Sequence, residues 1–183
     1  MNILFLYGGL INPTKGGVQR VTKVLADYFE LQGNSVYFLS LMRPDGNEYI
    51  DQRQFVLPDN KKFNTKENIQ YYKEFITKYS IDVVVNQGGL GKDCSRLANY
   101  SNDFGAVVLS VLHSSPLAKI IHFSSSQKGR FTKLNLDFLL PLTDIKWVKK
   151  LLLLIYKFKY RAHFKELCEK SDRVVLLSET FRD

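Results

Sequence analysis

Ile3-Leu4-Phe5-Leu6-Tyr7-Gly8-Gly9 is a continuous apolar run that ends in two glycines. A strand buried on both faces of a parallel sheet reads this way, because neither face needs polar residues. After a loop, Val18, Val21, Val24, Leu25, Tyr28 and Phe29 recur at helical spacing, and Gly33-Asn34 stops that helix. Ser35 to Leu41 (SVYFLSL) predicts a second strand. Strand, helix and strand in this order make a βαβ unit, whose crossover is nearly always right-handed.

The same alternation continues outward. Phe55-Val56-Leu57 predicts a short strand, 66–79 a helix, Ile81 to Asn86 a buried strand and 93–100 a helix. Ala106 to Leu112 is a further strand that runs straight into His113-Ser114-Ser115-Pro116. An irregular basic and aromatic region is expected over 117–143, a long helix over 144–170, and a last buried strand over Arg173 to Leu177. The pattern predicts an α/β fold: a Rossmann-like, doubly wound, mostly parallel sheet with helices on both faces. All 183 residues are expected to form one such domain. The chain stops where another helix is due after Ser178-Glu179, so a continuation is expected beyond it.

With 45% hydrophobic and 24% charged residues, the composition is that of a globular protein and not of a disordered or fibrous one. The net charge of +8 favours anionic partners. Cys94 and Cys168 match no metal or redox spacing and are expected as buried free thiols in a reducing compartment. No HExxH motif or Cys/His cluster is present, so no metal is expected. No leader and no membrane span is predicted, which implies a cytoplasmic protein.

Sheets of this kind bind ligands beyond the carboxyl ends of their strands. Those positions hold Gly8-Gly9 with Gly16-Gly17, then Gln87-Gly88-Gly89, His113-Ser114-Ser115 and Ser178-Glu179. Gly16 and Gly17 open a helix, where bare backbone amides and the helix dipole suit a phosphate, although a ligand-free turn would read the same. The spacing is neither GxGxxG nor a P-loop, and no acidic residue closes the second strand, so NAD chemistry is disfavoured. His113 can hydrogen-bond a ligand or act as an acid or base. His122 and His163 lack such a position and are expected to be surface or partly buried residues. Gly88, Gly89 and Gly91 read as a tight turn rather than a second phosphate loop. A hydrolase reading finds no GxSxG elbow.

The long helix predicted near the end is basic. Trp147, Leu151, Leu154, Ile155, Phe158 and Ala162 share one stripe, expected to face the sheet. Lys149, Lys150, Leu153, Lys157 and Tyr160, with Tyr156 and Phe164, fall on the opposite face, where interleaved lysines and aromatics suit an anionic membrane surface. A plain solvated face is the competing explanation.

Several of these stretches together resemble family 4 glycosyltransferases: Asn2-Ile3-Leu4-Phe5-Leu6, Gly16-Gly17-Val18-Gln19-Arg20, His113-Ser114 after a strand, and Ser171-Asp172-Arg173-Val174-Val175-Leu176-Leu177-Ser178. The resemblance covers the chain as that family's N-terminal domain. It implies one half of a GT-B architecture, retention of anomeric configuration, and no cofactor or metal, with a sugar nucleotide (a UDP- or GDP-sugar) as co-substrate. It further implies that Gly16, Gly17, Val18, Gln19, Arg20 and Ser114 approach the donor diphosphate, and that His113 touches the transferred sugar as the catalytic-site residue. The acceptor would be a saccharide or a lipid-linked saccharide of cell-surface polysaccharide synthesis, met at the inner face of the plasma membrane. The family's donor-binding domain with its paired glutamates is absent, so the chain alone is expected to be inactive or to need a missing C-terminal domain or partner subunit.

Two other readings stand beside this one. The chain could be a non-catalytic, basic peripheral-membrane or polyanion-binding module, or one subunit of a split transferase. No DNA- or RNA-reading motif is present, and nucleic acid is not expected as a partner.

Overall fold

The computed structural model describes residues 1–44, 46, 50–114 and 146–176. They fall into two compact units, one of Met1–His113 with Leu167–Asp183 and one of Ser114–Glu166. The first unit holds β1 (Asn2–Tyr7), α1 (Gly17–Leu31), β2 (Ser35–Ser40), β3 (Gln54–Val56), α2 (Lys66–Lys78), β4 (Val83–Asn86), α3 (Lys92–Asn99), a 3-10 turn (Tyr100–Phe104), β5 (Val107–Leu112) and β6 (Arg173–Leu176). The predicted strands and helices are all present among the described residues, within a residue or two at most ends. The 3-10 turn was not anticipated.

Six parallel strands form one sheet in the order β3-β2-β1-β4-β5-β6. The chain therefore winds outward in one direction from β1 and then in the other from β4, which makes the β1/β4 boundary the switch point of a doubly wound fold. Side chains alternate across the sheet and feed two cores. One core gathers Leu4, Leu6, Leu39, Val84 and Val108 under Tyr72, Phe75 and Ile76 of α2 and Leu97 and Ala98 of α3. The other gathers Ile3, Phe5, Val36, Phe38, Val85 and Val111 with Ala26 of α1 and Ile11 of the preceding loop.

α2 is well delimited. Thr65 caps it by accepting from the Asn68 amide at 3.3 Å, Glu67 lies in its first turn and Lys78 in its last. α1 differs: Thr22 and Ala26 are its buried residues, while the periodic Val21, Val24, Leu25 and Tyr28 are exposed, Val24 to 63%. Ions hold this helix instead. Arg53 donates to Asp27 at 2.8 Å, Glu30 at 3.0 Å and Asp51 at 2.8 Å, and Lys23 reaches Asp27 at 2.7 Å. Burial pulls the Asp51 carboxyl upward, but hydrogen bonds from Arg53 and the charges of Arg53 and Lys23 outweigh it and hold the group at about 2.

Several expectations are corrected. β6 is not buried: Val175 and Leu176 are exposed, because β6 has a described neighbour only in β5. Cys94 is a buried free thiol, but Cys168 is exposed. His163 is buried and packs against Phe164.

The long helix α4 (Lys146–Lys170) lies mostly in the second unit, and the residues it buries are not those of the expected stripe. Val148, Leu152, Tyr156 and His163 are buried, whereas Trp147 (69%), Leu151, Leu154, Phe158 (67%) and Ala162 are exposed. Ile155 is half-buried. The helix is apolar on more than one side, so spacing alone did not reveal which side is covered. Of the residues assigned to the outer face, Lys150 and Lys157 are exposed, Lys149, Leu153, Tyr160 and Phe164 are half-buried, and Tyr156 is fully covered. No described helix is long and apolar enough to cross a membrane. His122, the 117–143 region and Ser178-Glu179 lie outside the described residues.

Candidate functional site

The carboxyl ends of β1, β2, β4 and β5 surround a cavity of about 550 Å³ at the switch point. Tyr7, Gly8 and Gly9 follow β1, Leu41 and Met42 follow β2, Gln87 and Gly88 follow β4, and His113 follows β5. Val18 from α1, Phe63 from the loop before α2, and Leu90 complete a wall that is mostly apolar.

A buried polar network fixes the turn after β4. Asn86 Nδ2 donates to Ser95 Oγ and Ser110 Oγ, each at 3.2 Å, and Ser110 pairs with Ser171 at 2.8 Å. The Asn86 Oδ1 atom accepts from the Gly88 amide at 3.0 Å and from the Cys94 thiol at 3.3 Å. A methyl group at Gly88 would meet Cys94 Sγ at 2.7 Å, and one at Gly89 would meet the Val111 carbonyl at 2.7 Å. These glycines are therefore required by close packing.

His113 is half-buried, and its Nε2 hydrogen-bonds Gln87 Oε1. Donation from Nε2 to the amide oxygen corresponds to the tautomer in which Nδ1 is an acceptor. Burial lowers the proton affinity of the ring, which favours this neutral form. Phe63 is held by a clamp below it: Asn68, fully buried, accepts from the Asp59 amide at 2.9 Å and donates to the carbonyls of Asp59 and Lys62 at 2.8 and 2.7 Å.

A second, smaller cavity of about 240 Å³ shares Gly9 and Met42 with the first. Asn12, Lys15, Gln19 and Arg43 bring polar and cationic groups to its wall, beside Leu10 and Met42. Hydrogen bonds anchor the loop that forms it, from Ser40 Oγ to the Gly9 carbonyl at 2.8 Å and from the Ile11 amide to Gln54 Oε1 at 3.1 Å. α1 starts beside this cavity after Gly16, which makes no side-chain cap to its first amides.

The sequence-predicted residues are thus partly assembled. His113 and Val18 line the apolar cavity, and Gln19 lines the cationic one. Gly16 and Gly17 form the start of α1, and Gly17 has no atom near its missing side chain. Arg20 is exposed and reaches the Pro13 carbonyl at 3.5 Å. Ser114 is exposed and lines neither cavity. Sequence reading missed Arg43, Lys15, Met42, Phe63 and the Asn86 network. Arg43 follows the end of β2 closely, so the strand-end rule that found His113 could have found it too. Among the described residues, no group of three or more His, Cys, Asp or Glu side chains could hold a metal.

No protein-family model matches this sequence, and no curated protein does. The fold, however, is similar to a solved structure. Sucrose-phosphate synthase from Thermosynechococcus elongatus superimposes with a TM-score of 0.52 over 71% of this chain, at 16% identity. The chain spans 37% of the length of that protein. At this identity the likeness concerns the fold: an all-parallel, Rossmann-like α/β sheet of the GT-B kind.

Proposed function

We propose that this chain is the acceptor-side half of a sugar-nucleotide-dependent glycosyltransferase of the retaining, family 4 type. The observation that carries the reading is the cleft at the β1/β4 switch point, where an apolar cavity bearing His113 adjoins a smaller one that carries Lys15 and Arg43 beside the start of α1. The likeness to sucrose-phosphate synthase supports it at the level of fold.

On this reading the first amides of α1, over Gly17, Val18 and Gln19, face the donor diphosphate, with Lys15, Arg43 and Arg20 adding positive charge. His113 orients a hydroxyl through Nδ1. The bond from the anomeric carbon to the diphosphate breaks, a bond from that carbon to the acceptor oxygen forms, and the hydroxyl proton leaves with the nucleoside diphosphate. The donor would be a UDP- or GDP-sugar held mainly by a second Rossmann-like domain or subunit, and no metal is called for. The chain is expected to transfer sugar when fused to, or mixed with, such a domain. Replacing His113 by Ala should then slow turnover by about 10²–10⁴-fold. A folded pair that neither hydrolyses nor transfers any sugar nucleotide overturns the proposal.

The exposed stripe of α4 favours a second element. Trp147, Leu151, Leu154 and Phe158 alternate with Lys150, Lys157 and Arg161 on one exposed face, a pattern suited to an anionic bilayer. A lipid-linked acceptor would be met there, and a non-catalytic membrane-binding module would use the same face. Flotation with anionic and neutral vesicles tests it: capture by anionic vesicles alone is expected, and equal indifference to both removes the membrane from the reading.

A further inference from the structure

The cavity at the switch point is of the size that takes whole small molecules, within the range of about 300–1,000 Å³. Its chemistry is one-sided. Leu41, Met42, Phe63, Leu90, Val18 and Val111 supply aliphatic and aromatic wall. Among the described residues, the hydrogen-bonding side chains on the wall are Tyr7, Gln87 and His113, with the Cys94 thiol already given to Asn86. Gln87 and His113 also hold one another, so the polar capacity they offer a ligand is that of one further hydrogen bond at the His113 ring.

A saccharide ring presents polar groups around its whole edge. In this cavity most of them would lie against Leu, Met, Val and Phe, losing water without gaining a partner. A hydrophobic body with a single hydroxyl has the complementary distribution. We propose that this cavity binds an alcohol with an apolar hydrocarbon body, its hydroxyl at His113, and not the ring of a carbohydrate. The inference rests on the transferase reading only for calling that alcohol the acceptor.

The test is a titration of the chain, labelled at its methyl groups, with geraniol, with the hydrocarbon myrcene and with methyl glucoside, followed by NMR. Geraniol is expected to shift the methyl signals of Leu41, Met42, Leu90 and Val111 saturably, with an affinity at least about tenfold above that of methyl glucoside. Phe63→Gln and Leu90→Gln should each weaken geraniol by about tenfold or more without moving the melting temperature far. His113→Leu should weaken geraniol and leave myrcene unchanged, a split that general damage to the fold would not produce. Tighter or equal binding of methyl glucoside at these methyls overturns the inference, as does geraniol binding that neither saturates nor responds to Phe63→Gln. Binding of geraniol together with a donor-domain pair that never consumes a sugar nucleotide would keep this inference and defeat the transferase reading. The converse result would defeat this inference alone.

Discussion

The two faces of the sheet are built from the same strands and closed by different means. Over Leu4 and Leu6, α2 lays down Tyr72, Phe75 and Ile76, and an aromatic cluster of Tyr37, Phe55, Phe75 and Tyr79 extends the cover, with ring centroids 4.5–6.3 Å apart. Over Ile3 and Phe5, α1 contributes mainly Ala26 and the half-buried Phe29, and it turns Val21, Val24, Leu25, Tyr28 and Leu31 toward solvent. One face is sealed by large apolar side chains. The other is fastened by the ion cluster of Lys23, Asp27, Glu30, Asp51 and Arg53. A helix can thus be fixed to a sheet with its most hydrophobic stripe outward, provided that charges at its edge hold the position.

The sharpest way to break this contrast is to truncate one large side chain on the sealed face. Phe75→Ala should cost about 3–5 kcal/mol in chemical denaturation, because a buried ring leaves a cavity. A loss under about 1 kcal/mol would mean that α2 is not the seal described here. The ion cluster gives the next effect. The Asp51 carboxyl sits below its usual value in the fold, so the folded chain binds fewer protons than the unfolded one, and stability rises with pH. That contribution is complete above about pH 4 and is lost as pH falls through about 2. It should amount to about 1–2 kcal/mol after solvent screening, and Asp51→Asn should remove it together with that part of the acid dependence. Melting curves between these pH values check the sign, and a variant with an unchanged acid profile would uncouple α1 from its charges.

Two smaller changes refine the picture. Tyr72→Phe removes a buried hydroxyl that pairs with Ser101 Oγ at 2.6 Å, and should cost about 1 kcal/mol by leaving Ser101 without that partner. On the opposite helix, Val24→Lys and Leu31→Lys should each change stability by no more than about 0.5 kcal/mol. A large loss at either position would show that the outward stripe of α1 is covered in the native protein.

The strands were legible in the sequence because a parallel strand covered on both sides is apolar at nearly every position, as in Ile3 to Tyr7 and Val107 to Leu112. The helices were legible as helices, but not in their facing. α1 and α4 carry apolar residues on several sides, and on α1 the small Ala26 and Thr22 outrank Val24 and Leu25 for the inner position. Size against the sheet decided that, and spacing does not encode it. His113 was legible because it directly follows a strand. Phe63 was not, because it reaches the cavity from a loop whose path depends on Asn68 gripping Asp59 and Lys62. The smaller cavity was half legible: Gly9 and the Gly16-Gly17 pair beside it carried a signal, while Arg43 and Lys15 meet there only through the strand order.

The two thiols differ in a way that has a practical use. Cys168 is open to reagent, whereas Cys94 lies under Gly88, is pushed well above its usual proton affinity by burial, and donates to Asn86. An alkylating agent should therefore mark Cys168 at once and Cys94 only when the turn after β4 lifts away. The slow phase of that reaction is a clock on the opening of the cavity floor, read at a native side chain. A molecule seated above Gly88 would slow the clock, so the chain can report on its own occupancy.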